Sequence, residues 1–311
     1  MRSACIKRGD GLVHNQPPLR IKQSVPGRIF NILNYLILAM VALLALIPFV
    51  YVFTISFVSR TEFAMSGTGL ILWPKRWVLD AYKYVFASNT IPRALLNSIG
   101  ITVVGTLMNI AFTSMMGFAL SRKDLAGRKI IRIGVIFAML FNGGMIPTFL
   151  VVKMYGLIDS YWSLILPTAV MAFNLMVMTN FFSAIPYDIQ ESAIIDGCND
   201  LQVFWRIILP LSKASLASFA LFYAVGHWNS YFNAVLYINS SEKWPVQVWL
   251  RQIVIMSQGG LIESAESAES FPPPQSIKMA VIMVSTLPIL VVYPFLQKYF
   301  AKGVMMGSLK G

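Results

Sequence analysis

The sequence predicts an all-α integral membrane protein with six transmembrane helices and both termini on the inner side. Three observations carry this. The 311 residues are 57% hydrophobic and only 12% charged, whereas soluble domains carry about a quarter charged residues. Six runs are long and apolar enough to cross a bilayer, for which about 20 residues are needed. The charges cluster between those runs, and most of the 25 Lys and Arg residues fall in segments 1–28, 122–132, 206–213 and 298–310. Basic residues concentrate on the inner side of membrane proteins. The net charge of +12 is therefore explained by topology, and a nucleic-acid binder, which gathers its basic residues on one soluble face, is excluded.

In chain order, segment 1–28 holds Arg2, Lys7, Arg8, Arg20, Lys22 and Arg28 against the single acid Asp10. It reads as a basic cytoplasmic tail, retained because the apolar run after it is too long for a signal-peptide core. The six-helix transmembrane domain expected over 29–311 begins with that run. The spans are expected at about 29–58, 95–120, 131–152, 161–182, 214–237 and 277–299. Pro48, Pro147, Pro167 and Pro288 lie inside them and mark kinks, which membrane helices tolerate. Trp73, Trp77, Tyr82 and Tyr84 resemble an interfacial aromatic belt. Segment 239–276 is expected as an extracytoplasmic loop, either functional or a spacer; it contains the short repeat Glu263-Ser-Ala-Glu266-Ser-Ala-Glu269. Cys5 and Cys198 are the only cysteines, too few for a disulfide framework or a metal site, and no metal site is expected.

The stretch 186–210 is polar and acidic between two apolar runs. Pro186 suits a first helical turn, and Asp188 with Glu191 resembles a helix-start arrangement. Gly197 breaks the run, and Asn199 with Gln202 is placed to cap a second helix. Ile189, Ala193, Gly197, Leu201, Phe204 and Ile208 recur at helical spacing, which predicts one stripe to be covered. Glu191-Ser192-Ala193, then Gly197 three residues on, then Ile207, Leu209 and Pro210 after nine more reproduce a fixed spacing. It resembles the cytoplasmic coupling loop of permease subunits in binding-protein-dependent ABC importers, with Ser192 in place of the usual Ala.

The resemblance extends along nearly the whole chain. Pro26 to Phe30, Ile146-Pro147-Thr148, Gly156 to Asp159, Lys243-Trp244-Pro245 with Leu250-Arg251, and Tyr293 to Gly311 look like the carbohydrate-uptake branch. Within it the chain is similar to permeases for complex oligosaccharides and to the smaller maltose-type permease. The resemblance implies the type I importer permease fold in a bacterial inner membrane. It implies that Glu191, Ser192, Ala193, Asp196, Gly197, Ile207, Leu209 and Pro210 couple to an ATPase. It implies as partners a second homologous permease, two copies of an ABC ATPase and an extracytoplasmic sugar-binding protein, with no nucleic acid. The end of the chain, with Gly307, Lys310 and Gly311, looks like a tail that reaches the ATPase interface; a frayed terminus is the alternative.

No G-x-x-x-x-G-K-[ST] phosphate loop is present, so ATP and Mg are expected on the partner ATPase. This chain is expected to bind no cofactor and to carry no catalytic residue. No Asp, Glu, Lys or Arg sits near the middle of an expected span, which counts against the alternative, an ion-coupled secondary transporter of a small neutral solute, because ion coupling commonly uses such a group. In the fifth span Ser215, Ser218, Phe222, Gly226, Asn229 and Asn233 are spaced to share one helical face. Phe222, Gly226, Asn229 and Asn233 are candidates for the translocation pathway. Contacts to neighbouring helices, with Gly226 allowing close packing, are the competing use. His227 falls off that face, towards Tyr223, Ser230 and Tyr231, and Asn142, Asn174 and Tyr155 are weaker pathway candidates.

Overall fold

The computed structural model describes residues 25–66, 71, 73–141, 143–258 and 272–308, with side chains as far as Pro294. Most of the basic tail, the Glu263 repeat, Asn142, Lys310 and Gly311 lie outside the described residues, and so does the side-chain environment of the helix end at Gly307. The chain divides into two compact units, up to Val50 and from Tyr51 onward. Among the described residues the regular structure is helical throughout.

Helix α1, Val25–Ile55, opens with Pro26 in its first turn, where the missing N–H costs nothing. From residue 25 to 50 none of its side chains is buried, and Leu36, Leu43 and Leu44 are each about 60% exposed. So uniform an apolar surface is suited to hydrocarbon rather than water.

The second unit is organised around α4, Thr90–Ser121. Its buried side chains are Ile91, Ala94, Ser98, Ile101, Gly105, Asn109, Thr113, Ser114, Gly117, Phe118 and Leu120. Most follow three- and four-residue steps, and several are small, which lets neighbouring backbones approach. Before α4 come α2 (Arg60–Ser66) and α3 (Asp80–Ala87); after it come α5 (Arg128–Leu140), α6 (Met145–Met154), α7 (Trp162–Ile165) and α8 (Ala172–Ser183). Next are α9 (Tyr187–Ile195), α10 (Asp200–Val203), α11 (Leu209–Leu211), α12 (Lys213–Trp228), α13 (Phe232–Tyr237), α14 (Val246–Gln258) and α15 (Pro274–Ser308). Helices α8, α12 and α14 pack on α4, and α15 packs on α3, α12 and α14. The Trp228 indole donates to the Ser285 carbonyl at 3.2 Å, joining α12 to α15.

Three helices, Val25–Ile55, Thr90–Ser121 and Pro274–Pro294, are long and apolar enough to span a membrane by themselves. The other three expected spans are broken. The pair α5 and α6 bends by 117°, Trp162–Thr168 and α8 by 52°, and Asp200–Leu211 and α12 by 82°. Pro167 lies in the 3-10 turn Leu166–Thr168 that leads into the second break, and it has no N–H to continue the α-helical hydrogen-bond ladder. The expected fifth span, 214–237, is not one helix: α12 ends at Trp228 and α13 starts at Phe232. Segment 239–276, expected as a loop, contains α14. Of the aromatic belt residues, Trp77 packs with Phe53 and Phe57, Tyr82 with Phe57, and Trp73 with Trp77, with centroid separations of 5.0–5.9 Å.

Candidate functional site

The stretch 186–210 forms a helix, a bend and a second helix near the C-terminal end of α4. Pro186 stands at the start of α9. Asp188 lies in the first helical turn without a capping hydrogen bond, so the expected Asp188–Glu191 cap is absent and Asp188 acts only through the helix dipole. The end of α9 is closed by Cys198 N–H donating to the Ala193 carbonyl at 2.9 Å and Gly197 N–H to the Ile194 carbonyl at 3.0 Å. This is a Schellman motif, and it requires the left-handed φ of 86° found at Gly197. Asn199 and Gln202 then form the expected capping box, each side chain accepting from the other's backbone N–H, at 2.8 and 2.9 Å.

Beyond α10 the turn over Phe204–Ile208 widens to π geometry before α11. Pro210 explains the widening: it has no N–H, and its ring crowds the carbonyl four residues earlier. Val203, Phe204 and Ile208 are buried with Phe118, Met178, Phe182, Phe219 and Tyr223, while Ile207 and Leu209 flank this core. Ala193 is buried too.

The expected single stripe fails at the bend. Ile189 is 40% and Leu201 60% exposed, whereas Gln190 and Val203, outside the stripe, are buried. Ile195 (80%) and Trp205 (60%) also face outward, as do Glu191, Ser192, Asp196 and Gly197. A Cβ at Gly197 would meet open space.

Arg122, just past α4, fixes this loop. Its side chain is only 12% exposed and pairs with Asp124 at 2.9 Å and with Asp200 at 3.1 Å. The Asp124 hydrogen bond, with Asp200 adding to it, raises the Arg122 pKa against the effect of burial. Arg122 in turn holds the Asp124 carboxyl below its ordinary value.

A second site lies beside the middle of α4. A cavity of about 270 Å³ is lined by Asn109, Thr168, Phe222, Tyr223, Gly226, His227, Asn229, Ser230, Tyr231 and Asn233, with Leu164, Met171 and Phe232. Because α12 ends before Asn229, the expected unbroken helical face through Asn229 and Asn233 does not exist. The break brings Phe222, Gly226, Asn229 and Asn233 around one cavity instead, and His227 lines it too. Asn229 bonds back to the Val225 carbonyl at 3.0 Å. Nothing among the described residues approaches a Cβ placed at Gly226. Asn174 is buried, with its amide towards Met171 Sδ, and Tyr155 is exposed; neither lines this cavity.

Asn109 is the member that periodicity did not single out, although an amide in the apolar run 95–120 was a visible signal. Its Nδ2 donates to the carbonyls of Thr168 and Ala169 at the 52° break, so its Oδ1 is the acceptor for His227 Nε2 at 2.8 Å. The imidazole proton therefore sits on Nε2. Tyr223 and Thr113 share a hydroxyl bond of 2.8 Å.

Near the N-terminal end of α4, two of the segments read as sugar-branch patterns meet. Asp159 accepts from the Ser240 N–H and hydroxyl, the Asn239 N–H and Lys243 Nζ, at 2.7–3.1 Å. Lys243 and Ser240 hold the Asp159 carboxyl well below the usual carboxylate range. The positive φ of 61° at Asp159 is maintained by these bonds.

An all-helical membrane bundle with an exposed, cap-defined loop is the class that fold and site define. Residues 109–306 match the family described as "binding-protein-dependent transport system inner membrane component", and the chain belongs to that family. It is a transport component rather than an enzyme.

The chain is 52% identical to the polygalacturonan/rhamnogalacturonan transport system permease protein YtcP of Bacillus subtilis (strain 168), over 91% of this chain and 99% of that one. It is 51% identical to the protein LplC of the same organism, over 92% and 96%. A crystal structure of a bacterial ABC transporter involved in import of the acidic polysaccharide alginate contains a chain with TM-score 0.80 and 33% identity, covering 89% of this chain and 99% of that one.

Proposed function

We propose that this chain is a permease subunit of an ATP-driven importer that moves an oligosaccharide across the bacterial inner membrane by alternating access. The likeness at 52% identity to a polysaccharide-transport permease over nearly all of both chains carries this reading. The exposed loop 186–210 supports it, because among the described residues Glu191, Asp196 and the apolar Ile195, Leu201 and Trp205 face outward together.

The permease domain has six spans, the third carried by α5 and α6, the fourth by α7 and α8 and the fifth by α12 and α13, with both termini and the loop inside. In support, the loop sits beside the basic segment 122–132 at the C-terminal end of α4, through the Arg122–Asp200 pair. The clamp at Asp159 and helix α14 are then outside, where a sugar-binding protein delivers its load. A second permease completes the pathway, and two ATPase copies bind ATP and Mg.

ATP closes the ATPase pair and draws the coupling loops together. The rigid links from loop to bundle, Phe204 and Ile208 in the core and Arg122 on Asp200, pass this movement to α4 and α12. Sugar passes the cavity at Phe222, Gly226, Asn229 and Asn233, whose amides offer hydrogen bonds to hydroxyl groups. Glu191 docks on the ATPase and Gly197 keeps the bend, with Ser192, Ala193, Ile207, Leu209 and Pro210 shaping the two helices. The tail at Gly307, Lys310 and Gly311 reaches towards the ATPases.

Purification through a tag on this chain tests the assembly. A second permease, an ATPase and an extracytoplasmic sugar-binding protein should be recovered together. Recovery of this chain alone after mild solubilisation would count against it.

A further inference from the structure

Cations near the N-terminal end of α4 are mostly committed to acids. Lys83 pairs with Asp80 at 3.6 Å, Arg93 with Glu242 at 3.3 Å and Lys243 with Asp159 at 2.7 Å. Arg251, on α14, is different. Its guanidinium carbon lies 5.5 Å from the ring centroid of Tyr231, and among the described residues it has no acidic partner. Tyr231 is itself a wall of the cavity.

We propose that Arg251 is a specificity residue of the pathway, which receives the carboxylate of an acidic, uronate-containing oligosaccharide as it enters the cavity beside Tyr231. A cation–π contact of this kind uses no acid as partner, and the planar guanidinium carries its N–H groups at its edge. That edge matches a carboxylate with two parallel hydrogen bonds, about twice as strong as neutral ones. The cavity itself offers neutral groups, from Asn109, His227, Asn229, Ser230 and Asn233. Hydroxyl groups of the sugar suit these, while its carboxylate has no cation there. Arg251 supplies one at the rim and leaves the interior uncharged, so the anion is drawn in without being trapped.

This inference rests on the oligosaccharide-importer reading. The test uses the complex purified through this chain, reconstituted in liposomes with its binding protein and ATP, and follows uptake of trigalacturonate together with ATP hydrolysis. Arg251→Gln should lower uptake about tenfold while ATP hydrolysis stimulated by the loaded binding protein stays within about twofold, and Arg251→Lys should recover a large part. A proportional fall in uptake and hydrolysis would assign Arg251 a structural role and overturn the proposal. Unchanged uptake in Arg251→Gln would overturn it as well. So would an unmodified complex that imports a neutral trisaccharide but not trigalacturonate, which leaves the importer reading intact. ATP-dependent import of no saccharide at all would overturn both.

Discussion

A Cβ at position 105 would stand 2.5 Å from Nε2 of His227, a separation that no packed atoms adopt. The imidazole cannot swing away freely, because it is bonded to Asn109, which is bonded to the break before α8. Gly105→Ala should therefore destabilise the solubilised protein by roughly 1–3 kcal/mol, the usual cost of overpacking. Gly100→Ala on the same helix, where a Cβ meets nothing within 4 Å, should leave the melting temperature unchanged or raise it. Equal effects at both positions would show that the His227 contact is not tight. Neither Gly105 nor Asn109 could be paired with His227 from spacing, because His227 lies 118 residues beyond Asn109 and further still beyond Gly105. Only the polarity of Asn109 and His227 within apolar runs was legible. Asp159 gives a pH prediction. Its carboxyl titrates lower in the folded protein than the ordinary value of about 3.9, so its contribution is complete above about pH 4 and is lost as pH falls further, through the folded value. Asp159→Asn should lower the melting temperature at pH 7, and the gap from the unmodified protein should close only below about pH 4. A gap that closes between pH 8 and 5 would place the effect on another group.

At the scale of elements, the loop 186–210 was legible where local chemistry decides and illegible where geometry accumulates. Gly197 and the Asn199–Gln202 pair specify a bend and a cap through bonds within a few residues, so the helix–bend–helix shape followed from sequence. Ile189 and Leu201 were assigned to a buried stripe by spacing, yet both are exposed while Ala193, Phe204 and Ile208 on the same stripe are buried, because spacing defines a shared face and not how far along it the neighbouring helices reach. Counting at helical spacing also ran Asn229 and Asn233 onto α12, past the end of that helix. Gly197→Leu places a side chain in open space within this chain, so its intrinsic cost is the left-handed backbone, about 1–2 kcal/mol. The protein should still insert and fold. If the loop docks on the ATPase as proposed, transport should nevertheless be abolished by the projecting side chain, and Gly197→Asn, which tolerates this φ, should retain much more activity. Equal activity of Gly197→Leu and the unmodified protein would remove this loop from the coupling step. Arg122→Ala should uncouple in another way, by freeing α10 from α4. The complex should assemble and hydrolyse ATP, but import less sugar per ATP; an unchanged ratio would mean that the Asp200 pair transmits nothing.

For the whole molecule, membrane residence was legible because composition alone settles it. The apolar runs at 29–58, 95–120 and 277–299 correspond to continuous helices, and the others correspond to helices interrupted at sites such as Pro167 and Asn229. Hydropathy sums over a window and does not see a break, which depends on where backbone groups find partners. Two of the breaks border the cavity, and Thr168 at one of them receives the Asn109 amide. The central claim is that sugar movement through this chain is driven by ATP through a separate ATPase. The most direct measurement compares liposomes containing the chain alone with liposomes containing the complex purified through it, both supplied with oligosaccharide and the binding protein. Only the complex given ATP should accumulate sugar, with no uptake under an imposed sodium or proton gradient. Gradient-driven accumulation by the chain alone, without ATP, would contradict the account.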